Sequence, residues 1–95
     1  MPLPLDPTMV ATTDTLPGYE IIKSLGVVEG ITTSPLIGAF FERNLLVNIM
    51  REAYLDMLTT AAAHGANAIV GLRYSVMLQE HLVLVYGTAV KVKRL

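Results

Sequence analysis

Residues 49–74 read IMREAYLDMLTTAAAHGANAIVGLRY, a stretch that combines the patterns of a helix, a helix stop and a strand. The helical part has apolar residues at every third or fourth position, which places them on one face. That face consists of Leu46, Met50, Ala53, Tyr54, Met57, Leu58 and Ala61. His64-Gly65 predicts the end of the helix, because glycine adopts the left-handed conformation after a helix without steric cost. The stretch therefore predicts a helix followed at once by a strand.

The strand predicted after this glycine has one clearly apolar face. Its apolar side chains recur at every second position, at Ala68, Val70, Leu72, Tyr74 and Val76. The positions between them are Ile69, Gly71, Arg73 and Ser75. A glycine weakens the interior of a strand, so Gly71 predicts either a bulge or a close approach by another element.

Two further strands are predicted on either side of this stretch. Residues 19–31 have the alternation of a long strand, and Gly26 marks a bulge within it. Residues 82–92 form the last strand, after a hairpin turn at residues 78–82. A short strand is also expected at residues 9–13. These segments predict a single-layer sheet covered by one layer of helix.

The number of helices is left open by the sequence. Ser34 and Pro35 are typical of a helix start, and the helical pattern continues from there to His64 over 30 residues. A straight helix of that length measures about 45 Å, whereas a compact domain of this size is only about 30 Å across. We therefore expect a break near residues 43–48, with a short helix before it and a long helix after it.

The chain is expected to form a single domain with a flexible N-terminal arm. Residues 1–9 include Pro2, Pro4 and Pro7, which cannot donate backbone hydrogen bonds and favour an extended, mobile segment. Residues 10–95 then form the domain, since a chain of 95 residues corresponds to one hydrophobic core.

The composition favours self-association. Hydrophobic residues make up 53% of the chain and charged residues 16%, against about 25% charged residues in ordinary globular domains. A domain of this size buries only about 60–65% of its unfolded surface, so it cannot hide so much apolar surface alone. A homo-oligomer is the expected outcome, and an unusually apolar monomer is the alternative.

Charge and composition exclude several classes of function. A net charge of −1 attracts neither nucleic acid nor anionic lipid. The chain contains no cysteine, so it has neither disulfides nor thiolate ligands. No apolar run approaches the roughly 20 residues of a membrane span, and no signal-peptide pattern is present. The cytoplasm is therefore the expected compartment.

A subunit interface is expected at the last strand. Its first half, residues 82–86, is apolar at both parities, which predicts burial on both faces. One layer of helix covers only one face of a sheet, so the other face must meet a neighbouring subunit. The residues selected for this interface are Val83 and Val85, Leu55 in the polar arc of the helix, and Gly71.

Several segments of the chain resemble the YbjQ-like family, which carries a heavy-metal-binding label. The segments are Thr12-Thr13 with residues 17–22 (PGYEII), residues 25–30 (LGVVEG), residues 65–71 (GANAIVG) and residues 86–90 (YGTAV). The resemblance implies an α+β subunit of β-α-β-β type, with an antiparallel sheet packed on one or two helices. It also implies a ring-like homopentamer.

The candidate chemistry of the chain is sparse. His64 and His81 are the only imidazoles and the candidate metal ligands, although His64 also suits the last turn of a helix, where a cation favours the helix dipole. No catalytic constellation or phosphate-binding loop is recognisable, so we expect neither an enzyme nor a cofactor. The expected function is a non-catalytic pentameric module that binds a small ligand at a subunit interface. The alternative is a heavy-metal-binding protein, as the family label suggests.

Overall fold

The structure is a computed structural model that describes residues 3–33, 43–77 and 79–95. A single turn of 3-10 helix at Pro7–Met9 is followed by strand β1 (Tyr19–Thr33), helix α1 (Arg43–Ala63), strand β2 (Ala68–Met77) and strand β3 (Leu82–Arg94). The strands form one antiparallel sheet in the order β1-β3-β2. The predicted α+β fold of β-α-β-β type is confirmed.

Helix α1 is continuous from Arg43 to Ala63, so the break expected within residues 43–48 does not occur inside it. The short helix expected over residues 35–43 lies outside the described residues, apart from its last position. The helix ends as predicted, because Gly65 adopts a positive φ of 84°.

The main hydrophobic core lies between α1 and one face of the sheet. The predicted apolar face of the helix provides its inner side, with Ala53, Met57, Leu58 and Ala61 fully buried. The sheet contributes Val28, Ile69, Val83, Val85 and Ala89. The helix contacts β1 and β3 much more than β2, and this offset position shapes the site described below.

A bulge at Gly71 divides the predicted apolar face of β2 between two faces of the sheet. Gly71 has a φ of 68°, and the pairing with β3 shifts between Val70 and Arg73. Val70 therefore faces away from the helix, whereas Leu72 packs against the helix-side core. The alternative of a close approach is wrong for this glycine, because a Cβ atom there would meet nothing nearer than Asp14 Oδ1 at 4.0 Å. The predicted bulge at Gly26 is also present.

The N-terminal segment covers part of the face of the sheet that points away from the helix. A second, smaller core forms there from Leu16, Ala68, Val70, Val90 and Val92. The short strand expected at residues 9–13 is a single parallel bridge between Val10 and Ile69. Leu5 is buried in the main core, so part of the expected arm packs on the domain. The mobility of that arm stays a prediction.

Asn67 connects the end of the helix to the sheet. Its side-chain nitrogen donates to the Val92 carbonyl over 2.9 Å, and its side-chain oxygen accepts from the Val92 backbone N–H over 2.8 Å. The amide side chain thus extends the pairing of β3 beyond the start of β2. This gives the asparagine of the GANAIVG segment a structural role.

Candidate functional site

A groove lies between α1 and the helix-facing side of β2, where the offset of the helix leaves that strand uncovered. Its volume is about 430 Å³, and it is lined by Val47, Met50, Arg51, Tyr54 and Tyr74. We call it the α1/β2 groove. Its size falls within the range of about 300–1,000 Å³ that is typical of small-molecule sites.

Local sequence explains why these residues meet. Met50 and Arg51 each lie three or four residues from both Val47 and Tyr54, so the four side chains form one stripe along α1. Tyr74 stands opposite Val85, a core residue, and so points to the helix side of the sheet. It does so because the bulge at Gly71 reverses the alternation of β2.

The groove combines apolar walls, two phenols and one charge. Among the described residues of the lining, Arg51 is the only ionisable side chain other than the two tyrosines. Burial raises the pKa of Tyr54, and the nearby Tyr74 raises it further. Burial also raises the pKa of Tyr74. Both hydroxyl groups are protonated at neutral pH, as in an ordinary tyrosine, and can donate hydrogen bonds.

A second apolar surface lies on the opposite face of the sheet, beyond the part covered by the N-terminal segment. The exposed fractions are 75% for Val27, 46% for Ile31 and 38% for Tyr86, and the half-buried Leu82 and Leu84 lie beside them. Ile31 is paired with Leu84 across the strands, and Glu29, between Val27 and Ile31 on β1, is paired with Tyr86, so the apolar side chains surround one exposed carboxylate. We call these five residues the outer patch.

The residues selected from the sequence for a subunit interface are not in the outer patch. Val83 and Val85 have an exposed fraction of 0% and belong to the core under the helix. Their choice is corrected, because strand alternation places Leu82, Leu84 and Tyr86 on the free face instead. Leu55 is half-buried against the same core rather than pointing away from it.

Gly71, the last of the four residues chosen from the sequence for an interface, makes a backbone hydrogen bond within its own chain. Its backbone N–H donates to the Thr13 carbonyl over 2.9 Å. The N-terminal segment therefore occupies the edge of β2 at this point.

The two histidines do not come together within a subunit. His64 lies at the end of α1, with Nδ1 2.8 Å from the Thr60 carbonyl oxygen, whereas His81 lies in the turn before Leu82. Residue 68, close to His64 in the sequence, pairs with Val90 near one end of β3, whereas His81 comes just before the other end. The two histidines therefore lie near opposite ends of a stretch of about 27 Å along β3. Over residues 3–33, 43–77 and 79–95, no three His, Cys, Asp or Glu side chains form a metal-holding group.

Similarity to known proteins identifies the family of the chain. Residues 37–93 match the YbjQ family, described as "putative heavy-metal-binding". A UPF0145 protein of Fervidobacterium nodosum is 39% identical over 105 residues, which cover 92% of this chain and 97% of that protein. A UPF0145 protein of Chromobacterium violaceum is also 39% identical, over 92% of this chain and 90% of that protein. This chain belongs to the YbjQ family.

A solved structure supports the fold of this YbjQ-family chain. It is the crystal structure of a protein of unknown function of the DUF74 family from Pediococcus pentosaceus, and it superposes with a TM-score of 0.66. The two chains are 23% identical, and the match covers 88% of this chain and 96% of the other. At this level of identity the likeness shows the fold alone.

Neither the resemblance nor the sequence pattern identified the α1/β2 groove. The stripe of Val47, Met50, Arg51 and Tyr54 was visible in the sequence as the border between the apolar and polar sides of the helix. It could have marked a groove only if the position of the helix over the sheet had been known. None of the helices that the structure describes in this YbjQ-family chain is long and apolar enough to cross a membrane.

Proposed function

We propose that this YbjQ-family chain is a non-catalytic homo-oligomeric module that binds a small ligand in the α1/β2 groove, at a subunit interface. The observation that carries the proposal is the outer patch. Five apolar side chains lie there around Glu29, on a part of the sheet face that neither α1 nor the described N-terminal segment covers. Exposed apolar surface of this kind marks contacts between proteins.

A ring-like assembly is favoured by the positions of the two apolar surfaces. The outer patch and the α1/β2 groove lie on opposite sides of the sheet, so one subunit presents two different surfaces. A contact between two different surfaces is heterologous, and repeating it produces a ring when the rotation closes. We prefer five subunits because the resemblance to the YbjQ-like family implies a homopentamer.

The residues that line the groove support a role in binding without catalysis. Among the described residues, the lining contains no carboxylate, imidazole, serine or lysine, and its two tyrosines have raised pKa values, which makes them poor bases and nucleophiles at neutral pH. Its residues hold and orient a ligand rather than transform it.

Light scattering coupled to size exclusion, on the full chain at micromolar concentration, tests the assembly. We expect a mass five times the 10.3 kDa of one subunit. Another ring size would correct only the number of subunits. A monomer under these conditions would contradict the proposal, because the outer patch would then be a solvent-exposed surface.

Heavy-metal binding, as the family description has it, is the second candidate. One observation favours it. If His64 Nδ1 donates to the Thr60 carbonyl, the ring is held in place and Nε2 is left free, as in many metal-ligating histidines. A ring could bring together one such Nε2 from each subunit. We rank this function second because each subunit would supply a single imidazole.

A further inference from the structure

We infer that the α1/β2 groove binds a small aromatic carboxylate, whose acid group pairs with Arg51 and whose ring lies against Tyr54 and Tyr74. This inference rests on the proposed ligand site and adds the chemical class of the ligand. It follows from the charge, the apolar walls and the hydroxyl groups of the lining, taken in turn.

The charge of the groove selects an anion. Arg51 is the only permanent charge that the described residues contribute to the lining, and the ion pair found within those residues joins Lys93 to Glu20 instead. A guanidinium group presents two parallel N–H donors that match the two oxygens of a carboxylate. A single arginine suits a monoanion, whereas a polyphosphate requires several cations.

The apolar walls of the groove favour a ligand with a flat, apolar ring system. Met50 and Tyr54 are half-buried and pack against the main core, and Val47 and Tyr74 complete the apolar lining. Aromatic rings pack well against tyrosine faces and against a methionine sulfur. A volume of about 430 Å³ accommodates an acid with one or two rings.

The two phenols add donors for the same anion. Tyrosine hydroxyl groups are protonated at neutral pH, and burial raises the pKa of Tyr54 and Tyr74 further above the ordinary value. A protonated phenol donates a hydrogen bond to a carboxylate, whereas a phenolate would repel it. The described lining therefore offers up to three donors for a negative oxygen and no carboxylate that would pair with a cation.

Calorimetric titration of the full chain with naphthalene-2-carboxylate tests the inference. The methyl ester and naphthalen-2-ylmethylamine serve as neutral and cationic controls of similar shape. We expect the acid to bind at least about tenfold more tightly than either control, the ratio for one charge-assisted contact. Equal binding of acid and ester would overturn the inference, because only the apolar walls would then matter.

Variants locate the site. Arg51→Gln should weaken binding of the acid about tenfold and leave binding of the ester unchanged. Lys91→Gln removes the same charge from an exposed position of β3 outside the groove and should change nothing. Tyr74→Phe keeps the ring but removes the hydroxyl group, so it should weaken binding of the acid and leave binding of the ester unchanged. Wild-type affinity in a folded Arg51→Gln variant, as judged by circular dichroism, would overturn the inference.

The mass of each sample, measured by light scattering, separates this inference from the proposed assembly. A monomer that binds the acid through Arg51 would contradict the assembly and support the ligand class. An oligomer that does not bind the acid would overturn the ligand class alone.

Discussion

Gly30 of β1 lies directly against the backbone of Ala53 in α1, so closely that a Cβ atom on Gly30 would overlap the Ala53 carbonyl oxygen. The same Cβ would lie 2.6 Å from the backbone nitrogen of Met57. Both neighbours are backbone atoms, which cannot rotate away as a flexible side chain can. The close approach that the sequence suggested for Gly71 is therefore made by Gly30.

Replacement of this glycine should lift the helix from the sheet. We expect Gly30→Ala to lower the free energy of unfolding by about 1–3 kcal/mol, the usual cost of overpacking. Chemical denaturation followed by circular dichroism measures the change. Gly71→Asn is the matched control, since Gly71 has free space and asparagine tolerates its φ of 68°. Wild-type stability of Gly30→Ala would show that the helix can shift without cost.

A lysine in the outer patch should separate assembly from folding. Ile31 is 46% exposed in the subunit, so Ile31→Lys should leave the melting temperature of the fold nearly unchanged. An unpaired charge buried in a subunit contact costs several kcal/mol, so the oligomer should dissociate. Light scattering and thermal melting of the same sample provide both measurements.

Two further lysine variants serve as controls for this prediction. Leu95→Lys changes a residue that is 82% exposed and lies outside the outer patch, and it should preserve the oligomer. Leu55→Lys should instead destabilise the fold, because Leu55 packs against the main core. An intact oligomer in Ile31→Lys would remove the outer patch from the interface.

The tyrosines of the groove should make stability depend on pH in alkaline solution. The pKa values of Tyr54 and Tyr74 are raised above the ordinary value of 10.0, so the unfolded chain loses these protons first. Their contribution to the free energy of unfolding is thus complete below about pH 10 and falls as the pH rises above it. Denaturation midpoints measured across this range should decline less in a Tyr54→Phe/Tyr74→Phe double variant. An identical decline in both proteins would contradict the assignment.

Transition metals should bind weakly. A structural zinc site needs four ligands, and the described residues of a subunit bring no three candidate ligands together. We expect titration calorimetry of chelator-treated protein with zinc, copper and nickel to show only weak binding at exposed histidines. A stoichiometric site of sub-micromolar affinity that is lost on His64→Ala or His81→Ala would instead support heavy-metal binding.

Local patterns were sufficient to predict most of the elements of the fold. The apolar stripe of α1, the stop at Gly65 and the bulges at Gly26 and Gly71 all depend on neighbouring residues in the chain. Spacing along a helix and freedom of φ at glycine are local properties, so they are visible in the sequence. The break predicted near residues 43–48 is not found within the described helix, because α1 runs without interruption from Arg43 to Ala63.

The candidate site could not be predicted in the same way. Which alternate residues of β3 face the helix depends on which face of the sheet the helix covers. Val83 and Val85 are as apolar as Leu82 and Leu84, so the sequence does not distinguish the two sets. The bulge at Gly71 was predicted, but its effect was not: it moves Tyr74 to the helix side, while Val70 stays on the other face.

Residue order along the chain thus decides where the helix and strands begin and end, since those choices depend on steric and hydrogen-bonding preferences within a few residues. Tertiary packing decides which apolar residues become core and which become surface. Gly30 and Ala53 are 23 positions apart, and their contact sets the helix over β1 and β3. The groove beside Tyr74 and the exposed face with Ile31 both follow from that placement, because one helix cannot cover three strands or both faces of a sheet.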